Sequence, residues 1–153
     1  IGPVIDSHSC ASAVCGFPCN IGDERIETIA ERGGFVGLSF WAALVDCDAE
    51  SPTVDDLIGH VDHIAELVGV EHIALGPSFS GSDTMVPTQR ERHPGWIEGV
   101  CYGIRPSDYI VGPDDVTKMQ QVTEALVEHG YSEDDVKKIL GGNFLRVYGE
   151  VLG

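Results

Sequence analysis

His8 closes the run Pro3-Val4-Ile5-Asp6-Ser7-His8-Ser9, an apolar stem that delivers an imidazole to its end. A neutral imidazole is the commonest nitrogen ligand of zinc, so His8 reads in two ways, as a metal ligand or as a hydrogen-bonded core histidine. Cysteines crowd the residues that follow. Of the five in the chain, Cys10, Cys15 and Cys19 trail His8 with the spacing C-x4-C-x3-C, and Cys47 comes later. No CxxC pair is present and the spacing fits no structural zinc pattern, which leaves buried free thiols as the default reading. His60 and His63 share a helix face at i, i+3 with Asp62 between them. They lie on an outer-layer helix far from strand ends, and there they read as hydrogen-bonding partners of neighbouring loops or helix ends. His72, His93 and His129 carry no spacing signal.

The elements that must position His8 repeat one pattern. Phe35 to Phe40 and His72 to Phe79 are two more strand-like runs, and each strand is followed by a stretch with helical spacing. The chain therefore reads as consecutive βα units side by side in a parallel sheet, an α/β fold. In such sheets chemistry collects beyond the carboxyl ends of the strands, which puts His8, Trp41 and Ser78 on one rim. Helices are predicted over 23–32, with Ile26, Ile29 and Ala30 as the buried stripe, and over 53–68, with Leu57, Ile58, Val61, Ile64, Ala65 and Val68 at helical spacing. Residues 42–52 read as a loop. Further helices are predicted over 116–129, over 132–140 with Ser132 as N-cap, and over 144–151, where Phe144, Leu145 and Val147 face the sheet. The acidic runs Asp55-Asp56, Asp114-Asp115 and Glu133 to Asp135 fall at helix starts, where carboxylates oppose the macrodipole.

At 153 residues and 42% hydrophobic, the chain has the size and apolar content of one domain, spanning 1–153. Nine Lys and Arg stand against 25 Asp and Glu, a formal net charge of −16, which excludes a nucleic-acid partner and disfavours anionic membrane surfaces. No apolar run approaches the roughly 20 residues of a membrane span and no signal-like segment is visible, so a cytoplasmic setting is expected. Residues 80–115 form the longest irregular segment. Trp96, Tyr102 and Tyr109 give it apolar material with which to pack, so it reads as a lid-like loop, with a plain surface loop as the alternative.

PVIDSHS, the helix motif His60-Val61-Asp62-His63-Ile64, the strand HIALGPSFSG, and the stretch from Gly130-Tyr131-Ser132-Glu133 to Gly141-Gly142-Asn143-Phe144-Leu145-Arg146-Val147 resemble the renal (membrane) dipeptidase family, peptidase family M19. The resemblance covers nearly the whole chain and matches the C-terminal part of that family. It implies the last three βα units, strands six to eight, of an amidohydrolase-type (β/α)8 TIM-like barrel. It further implies a two-zinc centre that hydrolyses dipeptides or small amides, with His8 as one metal ligand. The remaining ligands are expected from upstream polypeptide or a companion chain completing the barrel, and a homo-oligomer is compatible with this. The resemblance also relates Cys15 and Cys47 to positions that are disulfide-bonded in mammalian members.

Two departures stand out. Ser78 occupies the position of the family's catalytic aspartate, and a hydroxyl without a partner is far too weak a general base. Pro18-Cys19-Asn20 replaces a segment whose arginine holds the substrate carboxylate, leaving Cys19 and Asn20 as candidate substrate-binding residues, with Arg90, Arg92 or Arg105 as possible substitutes for the lost cation. An inactive homologue that binds a ligand or serves as a structural subunit is therefore the rival expectation. A third is an enzyme acting on a different amide or on a lactone.

Overall fold

The computed structural model describes residues 2–79 and 109–153. Three parallel strands, β1 (Asp6–Ser9), β2 (Val36–Leu38) and β3 (Ile73–Leu75), form one sheet in the order β1-β2-β3. The connections are the expected helices, α1 (Asp23–Glu31) after β1 and α3 (Val54–Val68) after β2. α1 and α3 pack on each other, and α3 lies against β2 and β3. Of the stripes predicted for them, Ile26 and Ile29 in α1 and Leu57, Ile58, Val61 and Ile64 in α3 are buried, while Ala30, Ala65 and Val68 are half-buried. The Asp56 carboxylate accepts the Thr53 backbone N–H at 2.7 Å, so the acidic pair at the start of α3 caps a helix.

The register of β1 is irregular. Asp6 pairs with Val36 and Ser9 with Leu38, so β1 spends one more residue than β2 over the same span. That extra residue is a bulge, and bulges re-aim side chains next to strand ends. Gly37 and Gly76 both face the bulge, and a β-carbon at either would overlap the Ser7 carbonyl oxygen. Among the described residues, β1 and β3 each keep an outer edge with no neighbouring strand.

The structure departs from the sequence expectations in several places. Residues 42–52 contain a short helix, α2 (Ala42–Val45), with Ala43, Leu44 and Val45 buried. The helix predicted over 116–129 is two pieces, a 3-10 turn (Val116–Lys118) capped by Asp115 and then α4 (Gln120–Glu128). α5 (Glu133–Lys137) is capped by Ser132 as expected, and its helical path changes at Gly141 before α6 (Asn143–Leu152). In α6, Leu145 does not pack on the sheet: it is 72% exposed, and Phe144 is 43% exposed. The helix buries the face carrying Asn143 and Val147, one turn apart, and Leu145 lies off it. The Phe144 ring meets Phe35, directly before β2, at 6.2 Å between centroids, as expected, and it stacks on Tyr148 at 4.1 Å. Of the segment 80–115, residues 80–108 lie outside the described residues, and with them the lid-like loop, Trp96, Tyr102 and the three candidate arginines.

Asn143 ties α6 to the strand that ends at the rim. Its Nδ2 donates to Val70 O and Ile73 O, both at 2.7 Å, in a site where the residue is 2% exposed. Asn143→Ala leaves both carbonyls without that donor and is expected to cost about 2–3 kcal/mol, read as a lowered urea midpoint at unchanged slope.

His60 is fully buried in α3 and bonded through both ring nitrogens, in line with the structural role read from its helix position. Burial holds its pKa below the usual 6.5, with His63 adding to that and the Val45 carbonyl, Asp46 and Asp56 opposing it. The folded state thus binds fewer protons here than the unfolded chain, so stability is complete above about pH 6.5 and falls as pH drops toward the folded pKa. His60→Leu removes this linkage, and the unfolding free energy of wild type minus that of His60→Leu is expected to shrink between pH 8 and pH 5 in urea titrations.

Candidate functional site

Where β1 ends, the chain turns two polar side chains outward. Ser7 and His8 are both exposed, and Ser7 Oγ lies 2.6 Å from His8 Nδ1. That contact occupies one ring nitrogen and leaves Nε2 as the atom with which His8 can meet a ligand. Ser7 does not stand out in the sequence; its place directly before a strand-end histidine is the available signal. Ser9 points the other way, is 3% exposed, and its hydroxyl donates to Cys19 O at 3.1 Å. The candidate segment Pro18-Cys19-Asn20 is thereby pinned to the end of the strand that carries His8.

Within that segment, Cys19 is an exposed thiol and Asn20 is bonded inward. Asn20 Nδ2 donates to Cys15 O and Leu44 O, each at 2.8 Å, which joins the loop after β1 to α2 after β2. Its Oδ1 is buried with no hydrogen-bond partner among the described residues, and so is Nε1 of Trp41. Trp41 itself stands directly before α2 and pairs with Tyr109 in an isolated antiparallel bridge.

At the third strand end, Ser78 has φ of +60°, the only left-handed residue other than glycine among those described. Such a conformation is uncommon for a residue with a β-carbon and is held by its surroundings, often at functional sites. Two neighbours hold it here: Phe79 meets Phe40 and Tyr109 edge to face at 5.7 and 5.2 Å, and Tyr109 Oη donates to Ser78 O at 3.0 Å. Tyr109 thus supplies the packing anticipated for it. The parallel pairing puts the three strand ends, from which His8, Trp41 and Ser78 emerge, at the same end of the sheet: Ser39 N–H donates to Ser9 O at 3.0 Å and Gly76 N–H to Leu38 O at 2.9 Å.

Of the other described cysteines, Cys10 and Cys15 are buried and Cys47 is exposed. Burial pushes the Cys10 thiol up to about 12, so it stays protonated, and its Sγ donates to Ser39 O at 3.4 Å. Cys15 and Cys47 are free thiols side by side, with Cys47 N–H donating to Cys15 Sγ at 3.3 Å. The hydrogen bond to Cys15 is the main reason that the Cys47 thiol rises to about 11. Among the described residues no group of three His, Cys, Asp or Glu side chains is placed to hold a metal ion. His8 suits a metal as a single ligand through Nε2, and these residues do not complete a centre.

The family model described as membrane dipeptidase, peptidase family M19, matches residues 2–91 and 103–152. The chain belongs to this family. Among curated relatives, it is 29% identical over 150 residues to Dipeptidase aclJ of Aspergillus oryzae and 30% identical over 151 residues to Dipeptidase tcpJ of Claviceps purpurea. Those alignments cover 97% and 99% of this chain but 30% of each relative, so the chain spans about a third of the length of these curated relatives.

Solved structures agree on the fold. A metallo peptidase of Rhodobacter sphaeroides, liganded with a phosphinate mimic of the dipeptide L-Ala-D-Ala, superposes with a TM-score of 0.73 at 24% identity, covering 97% of this chain and 36% of that one. An amidohydrolase of Pseudomonas aeruginosa gives 0.76 at 27% identity, over 98% and 46%. The three βα units are thus part of an M19-type α/β barrel, with helices packed outside a parallel sheet. No helix among the described residues is long and apolar enough to cross a membrane.

Proposed function

We propose that the protein is a zinc-dependent hydrolase of dipeptides or closely related small amides, in which these residues form one wall of the active site and supply one zinc ligand, His8. The observation that carries this reading is the exposed imidazole at the β1 bulge, its Nδ1 engaged by Ser7 and its Nε2 without a hydrogen-bond partner among the described residues, in a chain of the M19 family. On this reading the other ligands come from outside the described residues, whether upstream or on a companion chain. The chemistry that zinc supplies when bound is polarisation of the scissile carbonyl and acidification of water. Around it, Ser7 orients the His8 ring, Trp41 offers an apolar wall, and Cys19 and Asn20 border the space in which a substrate would lie. Ser78 can orient a water or a substrate group through its hydroxyl but holds no exchangeable charge near neutral pH.

Ser78 also supports a second reading, a homologue that binds zinc and ligand without turning over. One set of measurements separates the two. The full-length protein is purified, its zinc content and zinc affinity are measured, and hydrolysis of L-Ala-D-Ala is followed. Zinc binding with turnover, and a fall of at least about tenfold in zinc affinity in His8→Ala, are the expected results. Zinc binding without turnover of any dipeptide tested favours the non-catalytic reading. Unchanged zinc affinity in His8→Ala removes His8 from the centre.

A further inference from the structure

The buried imidazole of His60 joins two segments that both leave the candidate site, and its bonding leaves no freedom of tautomer. Ala11 N–H donates to His60 Nδ1 at 3.2 Å, so Nδ1 is the bare nitrogen; Nε2, 2.8 Å from Val45 O, carries the hydrogen. Ala11 lies just past β1 and three residues past His8. It opens a loop closed by Ser12 N–H on Ile21 O at 2.8 Å and Ile21 N–H on Cys10 O at 2.9 Å, and that loop contains Cys19 and Asn20. Val45 ends α2, which Trp41 precedes. One rigid ring, projected from the middle of α3, therefore spans the loop behind His8 and the helix behind Trp41.

We infer that His60 is a positioning residue of the candidate site, holding through Ala11 the segment that follows His8 and, separately, through Val45 the segment that follows Trp41. The inference rests on reading that rim as the site. A residue that merely fills the core would be replaceable by any side chain of similar volume. His60 is instead a two-ended strut whose ends can be cut separately. Asparagine places its Oδ1 near the position of Nδ1 and keeps the Ala11 bond, while glutamine places its Nε2 near the ring Nε2 and keeps the Val45 bond. Both are smaller in the core than imidazole, so they share any packing loss and differ in the bond retained.

The test compares His60→Gln with His60→Asn in the full-length protein, by residue-resolved amide hydrogen exchange without metal and by zinc titration. In His60→Gln the Ala11 amide is expected to exchange at least about tenfold faster than in wild type, with the amides of Val61 and Ile64 unchanged, and the His8 ring signals are expected to shift. In His60→Asn, Ala11 protection and the His8 signals stay close to wild type. Zinc affinity is expected to fall about tenfold in His60→Gln and to be recovered in His60→Asn, in the range seen when groups that orient a ligand are removed. Equal acceleration of Ala11 and of the α3 amides, or identical behaviour of the two variants, overturns the inference and leaves a space-filling histidine. A wild-type protein that binds no zinc while Ala11 and the His8 signals respond as described counts against the metal reading and leaves the strut intact.

Discussion

Gly76→Ala is expected to destabilise the protein by more than about 4 kcal/mol, a loss reached only by severe steric or cavity defects. Gly76 directly follows β3, and its N–H donates to Leu38 O at 2.9 Å, which fixes its backbone in the sheet. A β-carbon there would overlap the Ser7 carbonyl oxygen and come within 3.1 Å of the His8 Cα. Those are main-chain atoms of the β1 bulge, with no rotamer through which to retreat. Relief requires that the bulge itself move, and His8 is carried on it. The effect is therefore expected in two measurements, a collapse of the urea midpoint and a displaced His8 ring signal in whatever folded fraction remains. Gly59→Ala is the control: Gly59 lies within α3, nothing stands within 4 Å of the place a β-carbon would take, and alanine is expected to add about 0.5–1 kcal/mol through helix propensity. If Gly76→Ala cost no more than about 1 kcal/mol, the bulge would be soft and could not be what aims His8.

That steric argument also shows which parts of this fold are readable from a string of residues. The strands show as apolar runs, and α1 and α3 as stripes at helical spacing, because burying an apolar face is a periodic demand. The acidic starts of α3 and α5 are legible for a similar reason, since a helix end calls for a carboxylate or hydroxyl within its first turn. The bulge is not legible, because one surplus residue in β1 shows only against the register of β2. Gly37 and Gly76 mark it, but as sequence they are indistinguishable from ordinary strand punctuation. α2 escapes notice because four residues are too few to display a period. The sequence points Leu145 at the sheet because the apolar side of α6 is broad: Phe144, Leu145, Tyr148, Val151 and Leu152 are exposed while Val147 is buried, and apolarity alone does not choose among them. At the site, His8 and Ser78 draw notice because the resemblance to the family relates them to functional positions. The contact of Ser7 with the His8 ring and the left-handed turn at Ser78 are properties of geometry.

The turn at Ser78 yields the second large effect. Ser78→Asp is expected to raise the turnover of L-Ala-D-Ala by the zinc-loaded full-length protein by roughly 100-fold or more, the scale of a positioned general acid–base group. A carboxylate at this strand end can accept a proton from the attacking water and return it to the leaving amine, which a serine hydroxyl cannot do near neutral pH. The backbone is already prepared for the exchange. At φ of +60° a serine is held in a conformation that aspartate and asparagine adopt more readily and glycine adopts freely. The Tyr109 hydroxyl bonds the main-chain carbonyl of residue 78 and not its side chain, so the clamp survives substitution. Thermal unfolding should accordingly show Ser78→Asp close to wild type and Ser78→Gly stabilised by about 1 kcal/mol. Those two stabilities act as the control on the rate. A stable Ser78→Asp that binds zinc and turns over no faster than wild type would mean that the residue at this position does not face the reacting bond, and the loss of the aspartate would then not account for an inactive homologue. A rate gain together with the expected stabilities would identify Ser78 as the point at which this chain's catalytic power is set.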